Sequence, residues 1–270
     1  MTEEFIQSRQ NPRVKTLMKL QERSARKKLG MFVVEGLREL TRCMEKIEVE
    51  EVYFCPEFFK TPEHSAFIEN LREQKKTNLC RLSEGAFEKI SNRQGCDGLL
   101  GLAHQWDCSL SNIVLPKDKA PVVLVVDSIE KSGNLGALVR TADSLDADAV
   151  IVTNAVCDIF NPSVIRSSQG AIFSAQVAQA SVEECSQWLK KHNIKAYGAH
   201  LQATDVLWQA NFTEPTAIVM GSEKDGLGQD WEEVLDKKII IPMSQTGLSD
   251  SMNVNVAAAI CLYEVLRQRK

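Results

Sequence analysis

A chain of 270 residues is long enough for one large domain or two ordinary ones, and 44% hydrophobic with 25% charged residues is the make-up of a folded globular protein, not a disordered one. A formal net charge of −4 excludes a polycation that holds nucleic acid by bulk charge, so any such site has to be a local patch. Eight cysteines (43, 55, 80, 96, 108, 157, 185 and 261) form no C-x-x-C pair and have no histidine at ligand spacing, which argues for reduced thiols and against a metal site. No apolar run approaches the roughly 18 residues of a membrane span, and Met1-Thr-Glu-Glu has no signal-peptide character, so a cytoplasmic location is expected.

Residues 1–30 read as a basic helix, with Val14, Leu17, Met18 and Leu20 at helical spacing and Gly30 as its stop. Between Arg13 and Lys28 seven basic residues (Arg13, Lys15, Lys19, Arg23, Arg26, Lys27 and Lys28) face one acid, Glu22. Such a run is either a solvated helix face or a phosphate-contact surface. The pattern then predicts a strand over 31–34, a helix over 36–47, a strand over 49–55, a helix around 67–71, and strands over 78–82 and 99–103. That is a small α/β domain over residues 1–105. Residues 106–120 lack periodicity, contain turn formers and read as a linker.

From Pro121 onward hydrophobic β-branched runs predict strands over 122–127, 149–153, 176–178, 195–200, 217–220 and 238–241. Helices are predicted near 134–145, 162–170, 182–192, 204–209, 229–235 and 253–268. Strands separated by helices imply a mostly parallel α/β sheet, in which ligands bind at the carboxyl ends of the strands. Small or polar segments stand at those ends: Gly133-Asn134-Leu-Gly136 leading to Arg140, Gly221-Ser-Glu223-Lys-Asp-Gly226, Ile241-Pro242-Met243, and Ser251-Met252-Asn253-Val-Asn255-Val-Ala257.

In order and wording these segments resemble the SpoU/TrmH family of SPOUT-class RNA 2′-O-ribose methyltransferases, over roughly residues 120–270. The Asn-x-Gly and following Arg match Asn134, Gly136 and Arg140; Gly-x-Glu-x-x-Gly matches Gly221, Glu223 and Gly226; the third motif matches Ile241 to Met243 and Ser251 to Ala257. Met252 stands where the family pattern has leucine and Asn255 where it has serine, and the loop between the two halves of that motif is slightly long. Phe32-Val-Val-Glu35-Gly36 and Asn11-Pro12-Arg13-Val14-Lys15 resemble the ribosomal-protein-like substrate-binding domain found ahead of such catalytic domains.

The resemblance implies an S-adenosylmethionine cofactor, structured ribosomal or transfer RNA as substrate, a carboxyl-terminal trefoil knot and a homodimer. It implies catalytic or positioning roles for Asn134, Arg140, Glu223, Ser251 and Asn253, and a cofactor cradle from Met220, Gly221, Gly226, Ile241, Met243 and Met252. Arg13, Lys15, Arg26, Lys27, Lys28 and Arg166 are the expected RNA contacts. Each has a plainer reading: a tight turn for the glycines, a helix cap for Asn134, an ion pair with Asp143 for Arg140, core packing for Ile241 and Met252. Asn255, departing from the pattern, is left out of the expected site. As a base a guanidinium is poor, with a pKa above about 12, so Arg140 is better suited to gripping phosphate and stabilising a developing alkoxide. In the final helix Val256, Ala259, Ile260, Tyr263 and Leu266 form the apolar surface expected to dimerise. Two rivals remain: a dinucleotide-dependent oxidoreductase, for which Gly133-Asn-Leu-Gly136 lacks the third glycine, and a non-catalytic RNA-binding protein on the same scaffold.

Overall fold

The structure, a computed structural model, describes residues 3–92, 95–244, 246 and 250–270. Its compact units are Met1–Trp106 with Ile159–Phe173, and Asp107–Asp158 with Ser174–Lys270.

The first unit runs β1 (Glu4–Ile6), α1 (Pro12–Lys19), α2 (Arg23–Leu29), β2 (Met31–Glu35), α3 (Leu37–Met44), β3 (Val49–Phe54), α4 (Pro62–Gln74), β4 (Asn78–Leu82), α5 (Glu84–Ile90) and β5 (Leu99–His104). Its mixed sheet has the order β1-β4-β3-β5-β2 among the described residues. The expected single basic helix is two. Asn11 caps α1 by accepting from Arg13 N at 2.9 Å, with Pro12 in the first turn, where its missing N–H costs nothing. The end of α1 is closed by Arg26, whose Nη1 donates to the carbonyls of Leu20 and Gln21 at 2.8 Å each and so satisfies groups a helix end leaves open. Gly30, left-handed at φ 64°, stops α2 as the sequence suggested. Leu17, Leu20, Val33, Tyr53, Leu82, Phe87 and Leu100 make the core.

The chain continues through β6 (Val122–Asp127), α6 (Ser132–Ser144) and β7 (Ala149–Thr153) to α7 (Pro162–Ser167). Expected within the second domain, α7 and its flanks instead complete the first unit: Phe160 and Phe173 close an aromatic cluster with Phe32 and Trp106, ring centroids 4.5–6.3 Å apart. Three of these rings, Phe32, Phe160 and Phe173, are buried, and packing them together favours this arrangement over sequence neighbourhood.

The second unit resumes with β8 (Val177–Ala180), α8 (Val182–Lys191), β9 (Lys195–Ala199), β10 (Asp205–Val206), β11 (Thr216–Met220), α9 (Gln229–Glu232), β12 (Lys237–Ile240) and α10 (Val254–Arg269). Its strands order as β10-β12-β9-β11-β6-β7-β8, every pair parallel. The helix expected over 204–209 is β10 and a 3₁₀ turn. The expected linker is no free tether: Leu110, Ile113 and Leu115 pack on this unit's core, and Cys108 O accepts from Gln179 N at 2.8 Å. Among the described residues no helix is long and apolar enough to cross a membrane, and no cluster of metal-ligating side chains occurs.

Candidate active site

Four adjacent strands of the parallel sheet, β12-β9-β11-β6, bring their carboxyl ends to one edge. From β11 the chain enters a turn in which Ser222 N donates to Gly226 O at 2.9 Å and Gly226 N to Ser222 O at 3.2 Å. Gly226 is left-handed at φ +70°, and a Cβ on Gly221 would lie 2.1 Å from the Gly226 carbonyl carbon. Both glycines are thus dictated by the turn, one by backbone conformation and one by close approach.

That turn aims Glu223 at the start of α6. Asn134 Nδ2 donates to Glu223 Oε1 at 2.6 Å, and Glu130 N to Oε2 at 3.4 Å. Burial pushes the Glu223 carboxyl up, but the hydrogen bonds from Asn134 and main-chain N–H groups, with the Lys131 charge nearby, outweigh it and hold it below the usual carboxylate range. Glu223 is a fixed anion. From the third side, Asn253 caps α10 by accepting from Asn255 N at 2.9 Å, and Asn255 Nδ2 donates to both Asn134 Oδ1 and Asn253 Oδ1 at 3.1 Å.

These groups border a cavity of about 370 Å³, the size range of small-ligand sites. Its walls include nearly all the expected residues: Asn134, Met220, Gly221, Glu223, Gly226, Ile241, Ser251, Met252 and Asn253. Met243, expected in the cradle, is not among the lining residues. Arg140 is exposed, two turns into α6, and does not line the cavity either. Nor is it the ion-pair partner of Asp143, which accepts from Ser174 Oγ at 2.9 Å; Arg140 has no partner among the described residues.

Sequence reading missed Lys131, His200, Leu201, Ser222 and Lys224 in the wall, and the hydrogen-bonding part of Asn255. The loop after β9 carries no glycine or motif, so only its place at the edge of the sheet could have flagged His200.

Of the expected RNA contacts, Lys15, Lys27 and Lys28 are exposed, as is Arg166 on α7. Arg13 is held by Glu4 at 3.0 Å and Glu51 at 3.1 Å. Arg26 corrects the expectation: at 1% exposed, its guanidinium serves carbonyls of its own fold and is withdrawn from any surface.

A methyl donor of nucleoside type requires an apolar slot for a base and polar groups for a ribose and an amino acid. Met220, Ile239, Ile241, Met252 and Ala257 offer the first; Asn134, Glu223, Ser251 and Asn253 offer the second. The residues fit such a group. A parallel sheet whose edge loops enclose this cavity beside an ionised carboxylate is the setting of a small-ligand-binding site.

Comparison with known proteins narrows the class. The SpoU rRNA methylase family profile matches residues 121–263, and the chain belongs to that family. An MRM3-like substrate-binding domain matches residues 11–101. Over 263 residues the chain is 27% identical to the 23S rRNA (guanosine(2553)-2′-O)-methyltransferase RlmP of Bacillus subtilis, covering 96% of this chain and 98% of that one. A 23S rRNA guanosine-2′-O-methyltransferase RlmB of Vibrio parahaemolyticus is 33% identical over 66% of this chain and 72% of its own length. A crystal structure of an RNA 2′-O ribose methyltransferase superposes with a TM-score of 0.84 at 36% identity, covering 98% of this chain and 99% of that one.

Proposed function

We propose that the chain transfers a methyl group from S-adenosylmethionine to a ribose 2′-hydroxyl of ribosomal RNA in the cytoplasm. One observation carries this: Asn134, Glu223, Ser251 and Asn253, scattered over 120 positions, line a single cavity together with Gly221, Ile241 and Met252. The cofactor, when bound, supplies an electrophilic methyl on sulfur. The chain's part is position and charge. Ile241, Met252 and Met220 would supply the apolar wall for the cofactor's base, and the Gly221–Gly226 turn would bound its place in the cavity. Glu223 and Asn134 orient a ribose hydroxyl, and Ser251 and Asn253 stand at the amino end of α10, where N–H groups favour an anionic partner. Arg140 grips the RNA phosphate and stabilises charge growing on the 2′-oxygen.

Because Arg140 stands outside its own chain's cavity, we assign it to the cavity of a second copy. Around a groove of about 620 Å³, α10 exposes Val256 (50%), Ile260 (37%) and Tyr263 (61%) beside Trp208 (60%), an apolar area that a homodimer would cover. The amino-terminal unit, with Lys15, Lys27, Lys28 and Arg166, is the part that chooses the RNA. The trefoil knot implied by the family belongs to the same proposal; part of the third-motif loop (245 and 247–249) lies outside the described residues.

The test is incubation with ribosomal RNA and labelled cofactor, followed by digestion to nucleosides. Methyl on ribose is expected; methyl on a base or on protein overturns the function. Mixing Arg140→Ala with Gly221→Glu chains should restore activity, and full activity in a sedimenting monomer would remove the shared site. Calorimetry separates the non-catalytic rival, which predicts no cofactor binding at millimolar concentration.

A further inference from the structure

We infer that Asn255 is a positioning residue for the methyl transfer, fixing which end of the Asn134 amide faces Glu223; this rests on the proposed function above. Asn255 stands in the first turn of α10, where the family pattern has serine. Its Nδ2 carries two hydrogens and spends both on acceptors, Asn134 Oδ1 and Asn253 Oδ1, each at 3.1 Å. With its oxygen so engaged, Asn134 presents Nδ2 to Glu223 Oε1 at 2.6 Å. Turned over, Asn134 would set its oxygen against the Glu223 carboxylate and its hydrogens against those of Asn255. Both contacts would be repulsive, so one orientation survives.

A serine could not reproduce this. It has one hydroxyl hydrogen for two acceptors and a shorter reach. Asn255 Oδ1 is buried without a hydrogen-bond partner among the described residues, so the side-chain contacts of Asn255 are those of its donor end. It ties the start of α6 to the cap of α10 on one side and, through Asn134, to the Gly221–Gly226 turn on the other, so three loops at the strand ends share one chain of hydrogen bonds.

The discriminating variant is Asn255→Asp, the same shape with both donors removed. At pH 8 its kcat is expected to fall on the order of 10–100-fold, the scale of losing a group that orients another, with RNA KM and cofactor Kd each within threefold of wild type. As pH falls through 6 and below, the ratio of variant to wild-type rate should climb, because a carboxyl set between the Asn134 and Asn253 oxygens with no donor of its own is held above the usual carboxylate range, and its protonation restores one O–H donor. Asn255→Ser should fall between the two and show no such climb. In ¹H–¹⁵N spectra the Asn134 side-chain amide resonances should move in both variants. The inference is overturned if Asn255→Asp matches the wild-type kcat at pH 8. It is equally overturned if the loss is a constant factor at every pH with a lowered melting temperature, as a merely structural residue would give. Should the wild-type protein fail to methylate ribose, the function falls separately; unmoved Asn134 amide signals would then still refute the geometry.

Discussion

Gly221→Ala places the added Cβ 2.1 Å from the Gly226 carbonyl carbon and 2.3 Å from both Gly226 O and Leu227 N, all backbone atoms that no rotamer change can move. Reaching an ordinary contact of 3.4 Å requires the turn to open by more than an ångström, which breaks the paired Ser222–Gly226 hydrogen bonds of 2.9 and 3.2 Å. At about 0.5–1.5 kcal/mol each, their loss costs the fold about 1–3 kcal/mol. The larger effect falls on the cofactor, because the same turn walls the cavity: shifting it by an ångström removes about one hydrogen bond to a charged ligand, about 1.5–3 kcal/mol or roughly 10²-fold in affinity. Calorimetry with S-adenosylmethionine should therefore show Kd about 10²-fold higher, or about 2.7 kcal/mol. Two glycines calibrate the result. Gly133 has open space at its Cβ position and a helical setting, so Gly133→Ala should bind normally and gain about 0.5–1 kcal/mol of stability. Gly226 also has open space but φ +70°, so Gly226→Ala should lose about 1–2 kcal/mol through backbone strain alone. A Gly221→Ala protein that binds cofactor within threefold of wild type would refute the reasoning.

Arg140→Ala should lower kcat on the order of 10²–10³-fold with cofactor affinity unchanged, and Arg140→Lys should recover only part, since an ammonium cannot grip phosphate at two points; wild-type rates in both would remove Arg140 from the site. Arg26→Ala should destabilise the protein by about 2–4 kcal/mol in urea unfolding by orphaning the Leu20 and Gln21 carbonyls, whereas Lys27→Glu with Lys28→Glu should leave stability within about 0.5 kcal/mol each and flatten the salt dependence of RNA binding; the reverse pattern would overturn both assignments. Deleting residues 1–105 should give an aggregating, dye-binding fragment, because Phe160 and Phe173 lose Phe32; a soluble fragment with a sharp melt would contradict the aromatic cluster. The Glu223 carboxyl titrates lower folded than unfolded, so its contribution to stability is present above the unfolded carboxyl value and is lost as pH falls through the folded one; Asn134→Ala should shrink that contribution at neutral pH, and identical pH–stability curves for variant and wild type would sink it.

The parallel sheet was legible because its central strands are buried on both faces. Val122 to Asp127 and Thr216 to Met220 read as mainly apolar runs rich in β-branched residues and fold within a residue of their expected bounds. The loops that follow such strands must meet at one edge, which is why most motif residues reached the cavity. What stayed hidden depends on long-range contacts. Arg26 reads as one more surface cation until its guanidinium is seen closing α1. Asn255 reads as a broken motif until its partner 121 positions earlier is in view. β1, three residues long at a sheet edge, has too little pattern to be detected, and no periodicity could announce that Phe160 and Phe173 leave the unit their neighbours build.

The chain order of the first unit has a consequence during synthesis. Its final piece ends at Phe173, 67 residues after Trp106, and the intervening Asp107–Asp158 belongs to the other unit. At about 5–20 residues per second the ribosome takes roughly 3–13 s to cover that stretch. Throughout this interval Phe32 and Trp106 wait without their later partners, while β6, α6 and β7 emerge with a half-built sheet of their own. The two units therefore cannot mature one after the other as beads on a string. Their completion is interleaved, and a nascent chain stalled before Phe173 should offer holdase chaperones an aromatic surface that the finished protein conceals.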